Sequence, residues 1–404
     1  MGERLALHGG PPVRGRMLPY GRQQLDDADV AAVVECLRGD WLTTGPRVEE
    51  FEQRVAERVG VRHAVAVSSG TAALHAAVFA AGLGPGDEAV VPPLTFAATA
   101  NAVLYQGATP VFADVRPDTL TLDPARVLEK LTARTRAIVA VDFAGHPADL
   151  DELRELARAH GLVLLDDAAH ALGAEYRGRP VGGQADLATL SFHPVKHVTT
   201  GEGGMVVTDD AALAERARRF RNHGITTGAA ERFQSGEWFY EMTDLGFNYR
   251  LTDLQCALGL SQLDKLDRFL ARRASIAARY RGALGRLPGV ALQAVAPDVR
   301  HAWHLFPLLL DLEHLAADRR AIFTALRAEG IGVNVHYIPV YWHPYYQRLG
   351  YPKGLCPVAE RAYERLLTLP LFPAMEDRDV EDVVAAVEKV VSCFASPVGG
   401  TAGR

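Results

Sequence analysis

The sequence predicts an α/β protein whose larger domain has a mostly parallel central sheet with helices on both faces. Two features support this prediction. Apolar segments of strand length recur between residues 64 and 209, and segments with helical periodicity lie between several of them. Strands that alternate with helices in this way form parallel sheets that are buried on both sides. The alternation ends near residue 210, after which the pattern predicts long helices and a smaller C-terminal α+β domain.

Length and composition agree with a division into domains. The chain has 404 residues, of which 48% are hydrophobic and 23% are charged, as in an ordinary globular protein with a sizeable core. We expect an N-terminal segment (1–25), a large domain (26–270), a small C-terminal domain (271–394) and a disordered tail (395–404).

Charge and cysteine content argue against several classes of function. The net charge of −6 indicates no basic surface for nucleic acid. No apolar run approaches the ~18 residues of a membrane span, and the first residues lack the apolar core of a signal peptide. The cysteines Cys36, Cys256, Cys356 and Cys393 form no C-x-x-C pair. We therefore expect a cytoplasmic protein with reduced thiols that binds neither nucleic acid nor membranes.

The first two helices are predicted from their end signals and periodicity. Asp26 can cap a helix that ends at Gly39, and Gly60 ends a second helix. Residues at helical spacing give each helix one apolar face: Val30, Val33, Val34 and Leu37 in the first, and Val48, Phe51, Val55 and Val59 in the second.

The other elements follow in chain order. The predicted strands are 64–67, 88–91, 110–115, 136–143, 162–166, 187–192 and 204–209. The predicted helices of the large domain are 71–82, 148–161 and 211–224, followed by one or two long helices in 251–284. The small domain is predicted to contain apolar segments at 302–310 and 331–339, and helices at 320–330, 358–369 and 377–394.

Lys196 lies in a loop between the last two predicted strands, in the passage SFHPVKHVTTGEGGMVV with His193 and His197 beside it. Most lysines are solvated surface charges, so this position alone indicates no function. A role for Lys196 therefore depends on what else lies at the same edge of the sheet.

A helix start follows the first predicted strand, in the passage AVAVSSGTAALHAA. The free N–H groups of such a start, the helix dipole and the hydroxyl groups of Ser68, Ser69 and Thr71 can bind an anion. Simple N-capping by a serine explains the same residues equally well. The passage is not a Walker loop, because no G-K-[ST] follows Gly70.

Two acids end another apolar strand, in the passage LVLLDDAAHALGA. Alternation along the strand directs Asp166 and Asp167 to opposite faces of the sheet, so one can face a ligand while the other caps the next helix. His170 is a potential metal ligand, but no second ligand stands at a recognisable spacing, and we expect no metal.

The lysine, one acid and the helix start form a pattern together. All three follow predicted strands, at the carboxyl ends where open α/β sheets bind their ligands. A Schiff-base lysine, a carboxylate for the pyridine nitrogen and a phosphate-binding helix start are the protein groups of a pyridoxal 5'-phosphate site. The pattern therefore predicts this cofactor.

At these residues the chain resembles the DegT/DnrJ/EryC1/StrS family of pyridoxal-phosphate sugar aminotransferases, which have the fold-type I architecture. The resemblance covers about residues 18–394 and includes LTTGPRVEEFE, SSGTAALHAA, DDAAHALGAEY, SFHPVKHVTTGEGGMV, GFNYRLTDLQCALGLSQL and GVNVHYIPV. The passages LPYGRQ, LTTG, SFHPVK and VHYIPVY are most similar to the UDP-4-amino-4,6-dideoxy-N-acetyl-β-L-altrosamine transaminases of the pseudaminic acid pathway.

The resemblance implies a role for each matching residue around the cofactor. Lys196 would be the Schiff-base lysine, and Asp167 would hold the pyridine nitrogen. His170 would lie near the phenolic oxygen of the cofactor, and Phe96 over its ring. The phosphate would be held by Ser69, Gly70, Thr71 and Ser191.

The resemblance also implies partners and substrates. Asn248 would reach the phosphate bound by a neighbouring subunit, which implies a homodimer with shared active sites. L-Glutamate would be the amino donor, and a UDP-linked 4-keto-6-deoxy-N-acetylhexosamine the acceptor. The residues expected to contact the nucleotide sugar are Tyr20, Leu42, Thr43, Thr44, Gly45, Asn334, Val335, His336 and Tyr337.

The chain departs from many relatives at two positions. Ser69 and Asp166 replace the usual Asn and Glu, and both replacements keep an oxygen-bearing group. The retained Lys196 disfavours the dehydratases of the family, which have His at this position. Two other functions remain open: an aminotransferase for a GDP- or dTDP-linked keto sugar, and a non-catalytic regulatory protein with the same fold.

Overall fold

The computed structural model describes residues 4–227, 232, 236 and 238–395. Its helices are α1 (Asp27–Arg38), α2 (Pro46–Val59), α3 (Gly70–Ala80), α4 (Ala98–Tyr105), α5 (Pro124–Leu128), α6 (Leu150–His160), α7 (Ala211–Arg221), α8 (Asp253–Leu263), α9 (Leu266–Leu284), α10 (Arg319–Ala328), α11 (Pro344–Arg348), α12 (Pro357–Arg365) and α13 (Asp377–Phe394).

The strands of the described residues form three sheets. They are β1 (His63–Val67), β2 (Glu88–Val91), β3 (Thr109–Phe112), β4 (Thr135–Val141), β5 (Val163–Asp167), β6 (Glu175–Tyr176), β7 (Arg179–Pro180), β8 (Leu187–Ser191), β9 (Gly204–Thr208), β10 (Val290–Leu292), β11 (Val299–Arg300), β12 (Phe306–Leu310) and β13 (Leu366–Leu369).

The central sheet has seven strands in the order β1-β9-β8-β5-β4-β2-β3. The pairs β5–β8, β4–β5, β2–β4 and β2–β3 are parallel, which confirms the predicted mostly parallel sheet. Strand β9 is antiparallel to both β8 and β1. The reversal follows from connectivity, because a loop without a crossover helix joins β8 to β9, and such a connection pairs neighbouring strands antiparallel.

Helices cover both faces of this sheet. The capping box of Asp26 begins α1, and the apolar stripe of α2 is buried from Val48 to Val59. Helix α3 is buried around most of its circumference, which its small alanine side chains allow. Helix α4 was not predicted, because the passage ATANAVLY has neither a capping side chain nor a clear apolar face.

The C-terminal part contains a separate three-stranded antiparallel sheet in the order β10-β12-β13. The predicted helix 358–369 is wrong in its last third: α12 ends at Arg365, and residues Leu366–Leu369 form β13. These four residues are buried and pair with β12, because the sheet offers partners for both their backbone and side chains. Helix α13 has its predicted bounds.

Helix α9 connects the two parts. Near its start, Leu270 packs in the core under the central sheet, whereas Ile276 packs in the core of the small sheet. The predicted domain boundary at residue 270 thus falls inside this helix. In the N-terminal segment, Leu18 pairs with Ile331 beside the small sheet. Of the predicted tail, Ala395 pairs with Leu315, and residues 396–404 lie outside the described residues.

Across the described ranges, no helix combines the length and the apolar character that crossing a membrane requires.

Candidate active site

A cavity of about 670 Å³ opens at the carboxyl ends of the parallel strands. Val141, Asp167 and Ser191, which end β4, β5 and β8, form its floor. The loop before α4 and the segment 334–337 beside the small sheet form its walls. This is the edge of an open α/β sheet at which ligands bind, and the predicted lysine, acid and helix start all line it.

Lys196 lies in the loop between β8 and β9, with its ammonium group in the cavity. The Nζ atom lies 3.5 Å from Nε2 of His304. Burial lowers the pKa of Lys196 to about 8, the Asp167 carboxylate opposes this shift, and Arg273 adds to it. A lysine with such a pKa exchanges protons readily near neutral pH.

Asp167 is buried at the end of β5 and faces the cavity. The Thr99 hydroxyl donates to Oδ2 at 2.6 Å, and the amide of Ala169 donates to Oδ1 at 3.3 Å. Burial raises the pKa of Asp167, while these two donors and the charge of Lys196 lower it. A carboxylate held in this way favours a cationic or proton-donating partner in the cavity.

Asp166 lies on the opposite face of the strand, and the possibility that it caps the next helix is not realised. Neither of its carboxylate oxygens has a hydrogen-bond partner among the described residues. Burial and, to a smaller extent, the charge of Asp167 raise the pKa of Asp166 to about 8. Asp142, on the neighbouring strand end, also has a pKa well above its ordinary value because of burial and the nearby Asp166.

The start of α3 forms one end of the cavity. The Ser69 hydroxyl accepts a hydrogen bond from the amide of Ala72 at 3.1 Å, so this serine does cap the helix. The amides of Gly70 and Thr71 have no acceptor within the helix and are available to an anion. A Cβ atom on Gly70 would lie 2.9 Å from Cβ of Ser191, so glycine allows these two segments to approach closely.

Histidine and tyrosine side chains form the wall opposite the sheet. His170 Nε2 and the Tyr337 hydroxyl lie 3.1 Å apart, and the rings of His170 and His304 are 4.3 Å apart. Burial lowers the pKa of both histidines well below the usual value, so both are neutral near pH 7. The ring of Phe96 lies 6.1 Å from that of Tyr337 and is 61% exposed.

The outer part of the cavity contains residues predicted to contact the substrate. The rings of Tyr20 and His336 are 5.2 Å apart. His336 is fixed by the Thr368 hydroxyl at 2.9 Å, and the Asn334 side chain lies 3.3 Å from its other ring nitrogen. The structure therefore brings Tyr20 together with the segment 334–337, although they are far apart in sequence.

Two predicted groups do not line this cavity. The turn formed by residues 42–45 is held by Asp253, which accepts from the amides of Gly45 at 2.6 Å and Arg47 at 3.0 Å. Asn248 is exposed and forms an isolated β-bridge with Asn222. It lies beside the loop that follows β1, because the carbonyl of the next residue, Tyr249, accepts from the amide of Ser68.

Sequence reasoning missed Thr99 and His304. Thr99 lies three residues after Phe96, on the face of α4 that meets Asp167. His304 belongs to the passage HAWHLF, in which two histidines within an apolar segment are a weak sign of a site. Within the described ranges, no cluster of three or more His, Cys, Asp or Glu residues could hold a metal ion.

Comparison with known proteins decides the family. The model of the DegT/DnrJ/EryC1/StrS aminotransferase family matches residues 23–388. The chain belongs to this family. It is 45% identical to the spore coat polysaccharide biosynthesis protein SpsC of Bacillus subtilis over 94% of this chain and 98% of that protein.

Solved structures agree with this assignment. Helicobacter pylori PseC, an aminotransferase involved in the biosynthesis of pseudoaminic acid, superposes with a TM-score of 0.87 and 32% identity over 94% of this chain and all of PseC. DesI, solved in the presence of its TDP-sugar product, has a TM-score of 0.85 and 36% identity, with 95% of each chain covered. The protein is therefore an enzyme, a pyridoxal-phosphate-dependent sugar aminotransferase.

The residues present in the cavity fit pyridoxal phosphate. The start of α3 and Ser191 suit a phosphate group, and the buried Asp167 suits a protonated ring nitrogen at the other end. Lys196 lines the same cavity as these two groups, and its lowered pKa suits reaction with an aldehyde.

Proposed function

We propose that this aminotransferase transfers the amino group of L-glutamate to the 4-keto carbon of a UDP-linked 4-keto-6-deoxy-N-acetylhexosamine. The proposal depends on one observation: the rings of Tyr20 and His336 lie close together in the outer cavity. Both belong to passages, LPYGRQ and VHYIPVY, that resemble the transaminases acting on this sugar. The similarity to PseC supports the same class of product, a 4-amino sugar of the pseudaminic acid type.

Lys196 would act as the base and the acid of both half-reactions. Bound pyridoxal phosphate supplies the electron sink that allows an amino group to leave one carbon and join another. The Nζ atom of Lys196 would remove the proton from the α-carbon of glutamate, and in the second half-reaction it would deliver a proton to C4 of the sugar. A pKa of about 8 allows the amino group both to accept and to release this proton.

Asp167 would keep the ring nitrogen of the cofactor protonated. Thr99 and Ala169 hold its two carboxylate oxygens in place, so the carboxylate meets the ring without reorganisation. His170 and Tyr337 would close the site from the side of the small sheet. Because Lys196 and Asp167 enter from different strands, the sheet itself fixes their separation.

A second copy of the chain would complete the site. The substrates carry a diphosphate and two carboxylates, yet Lys196 is the sole lysine or arginine among the described residues that line the cavity. The exposed Asn248 and the half-buried Arg250 lie next to the loop that begins α3. We infer that these residues serve the cavity of a partner in a homodimer.

A dTDP-linked 4-keto-6-deoxy sugar is the second candidate acceptor. The observation in its favour is DesI, which was solved with a TDP-sugar and is more similar in sequence than PseC. The two candidates differ in the nucleotide base and in the 2-acetamido group of the sugar. The protein contacts to both groups would lie in the outer cavity near Tyr20 and Asn334.

The test is an assay of the purified protein with glutamate and UDP-, dTDP- and GDP-linked 4-keto-6-deoxy sugars, with products identified by NMR. We expect the highest kcat/KM with the UDP-linked N-acetylhexosamine. A higher value with the dTDP-linked or GDP-linked sugar would contradict the proposed acceptor. Absence of glutamate turnover with every sugar would contradict both the proposed donor and the proposed class of acceptor.

A further inference from the structure

Arg273 is a buried cation at the point where α9 passes from one core to the other. Its side chain is 1% exposed, and burial alone shifts its pKa, with no carboxylate of the described residues offsetting its charge. Burial lowers the pKa of Arg273 to about 9. A buried charge without a counterion destabilises the fold, so packing alone does not explain an arginine here.

The two terminal nitrogens of the guanidinium donate to main-chain carbonyl groups, while Nε has no hydrogen-bond partner among the described residues. Nη1 donates to the carbonyls of Trp303 at 3.1 Å, His304 at 3.2 Å and Leu371 at 3.0 Å. Nη2 donates to the carbonyl of Val195 at 3.4 Å. These acceptors belong to three separate segments of the chain, and the planar fork of arginine is suited to joining them.

Each of these segments contributes a group to the cavity. Val195 directly precedes Lys196, and His304 lies against the Lys196 ammonium group. The amide of Leu371 donates to the carbonyl of Tyr20 at 3.1 Å. One side chain therefore joins the lysine loop, the histidine wall and the outer substrate wall.

Arg273 also acts on Lys196 through its charge. The other titratable groups around the lysine are the attracting carboxylate of Asp167, the exposed carboxylate of Glu202, the hydroxyls of Tyr20 and Tyr337, and five histidines. Burial lowers the pKa of each histidine, so none adds a full positive charge near pH 7. These histidines are His170, His193, His197, His304 and His336.

We propose that Arg273 is a positioning residue for transamination, which holds the loops of Lys196, His304 and Tyr20 in register and, through its bond to the Val195 carbonyl, places a fixed positive charge beside Lys196. The proposal rests on the proposed function, because it takes Lys196 as the base. It assigns to Arg273 two separable actions, one by hydrogen bonds and one by charge.

The charge is tested by the reactivity of Lys196 in the full-length, cofactor-free protein. Trace acetylation with acetic anhydride across a pH series, followed by mass spectrometry, gives the midpoint at which Lys196 becomes reactive, expected near 8 in the wild type. In Arg273→Met the midpoint should move upward, so that labelling at pH 8 falls several-fold. An unchanged labelling curve in folded Arg273→Met would overturn the charge action.

The matched control is Arg279→Met on the same helix. Arg279 binds Asp377 and Glu381 on α13, away from the cavity, so this variant should keep the wild-type labelling curve. An equal shift in Arg279→Met would also count against the proposal, because it would show a general effect of loosening α9.

Arg273→Lys separates the effect of the charge from that of the hydrogen bonds. It also provides a test if Arg273→Met does not fold. The charge remains, so the labelling curve should stay near that of the wild type, but three carbonyl segments lose their shared donor. Hydrogen exchange at residues 195–196, 303–304 and 371 should become faster, and kcat should fall about 10- to 100-fold through misplacement of the base. Wild-type exchange and wild-type kcat in this variant would overturn the positioning role.

Labelling and hydrogen exchange need no substrate. If the sugar assigned above is wrong, the Arg273 results stand unchanged, whereas failure of the labelling and exchange results leaves the sugar assignment untouched.

Discussion

Lys196 and Asp167 reach one cavity because they follow strands that point the same way in the central sheet. If Lys196 carries the cofactor, borohydride reduction of the purified enzyme should fix pyridoxal phosphate to this residue, as read by peptide mass spectrometry. The Lys196→Ala variant should retain no fixed cofactor. Fixation to Lys130, Lys265, Lys353 or Lys389 instead would refute the assignment.

The two adjacent acids should respond differently to neutralisation. Asp167→Asn should keep the cofactor but slow both half-reactions by a factor on the order of 10² or more, because the ring nitrogen loses its charged partner. Asp166→Asn should be much milder, since Asp166 lies on the other face of β5 and does not line the cavity. Rates of the two half-reactions in stopped-flow measurements check this, and equal losses would mean that the faces are misassigned.

Asp166 should instead control how stability depends on pH. Its pKa is about 8 in the folded protein and ordinary in the unfolded chain, so the folded state binds the extra proton between about pH 4 and pH 8. The contribution of protonated Asp166 to the free energy of unfolding is therefore complete below this window and is lost as the pH rises through it. The melting temperature of Asp166→Asn should equal that of the wild type at pH 4.5 and exceed it at pH 8.5. A constant difference between the two proteins would show that Asp166 does not titrate in this window.

At the scale of elements, the start of α2 depends on a residue from another helix. The N-cap Gly45 offers no side chain, and Asp253 of α8, 208 residues later, accepts from its amide. A Cβ atom on Gly45 would lie 2.6 Å from Cβ of Trp41, so only glycine fits this turn. The buried carboxylate of Asp253 thus holds the turn of residues 42–45 in a conformation that faces solvent.

Asp253→Asn should loosen this turn, because an amide group presents a donor where two backbone N–H groups need acceptors. If residues 42–45 bind the nucleotide sugar, the KM for the sugar should rise severalfold while the half-reaction with glutamate keeps its rate. Asp264→Asn, an exposed position just after the same helix, is the control. A sugar KM equal to that of the control variant would mean that the turn does not bind the substrate.

Local signals were sufficient for the elements whose determinants lie close together in sequence. Asp26 and the stripe of α2 predicted two helices, and apolar runs predicted the seven strands of the central sheet with ends shifted by a few residues. The strand β13 was missed because its apolar run continues the periodicity of α12, and only pairing with β12 ends the helix.

The same distinction holds for the site. Lys196 and Asp167 stand out because loops after strands carry chemistry in this fold class. Thr99 and His304 escaped notice because their partners lie 68 and 108 residues away, and neither has a local signature. Arg273 escaped for the same reason, since carbonyl acceptors leave no trace in the sequence.

At the scale of the whole molecule, apolar side chains remain exposed on one chain. Val30 and Leu37, which the periodicity of α1 predicted on one face, are 59% and 55% exposed, and Trp238 and Leu245 are both 81% exposed. Trp238 and Leu245 belong to the segment that leads to Asn248. Such surface favours burial against a second copy of the chain.

Subunit mixing tests the shared site. Lys196→Ala and Asn248→Ala homodimers should both be impaired, the first almost completely. In a mixed dimer one site collects both defects, and the other has native Lys196 and native Asn248. Random reassortment of equal amounts gives roughly half mixed dimers with one good site of two, so activity should recover to about a quarter of wild type. Activity equal to the average of the parents would show that Asn248 serves its own chain.

The antiparallel strand β9 has a consequence for the order of folding. Its pairing with β8 spans one loop, whereas its pairing with β1 spans most of the chain that builds the central sheet. Contacts of short sequence separation form first, so the hairpin that carries Lys196 can form before β1 brings Ser69 and Gly70 beside it. A molecule that binds both the hairpin and the start of α3 would then stabilise the pairing of β1 with β9, which forms last. We expect the cofactor to slow unfolding by retaining β1 in the sheet.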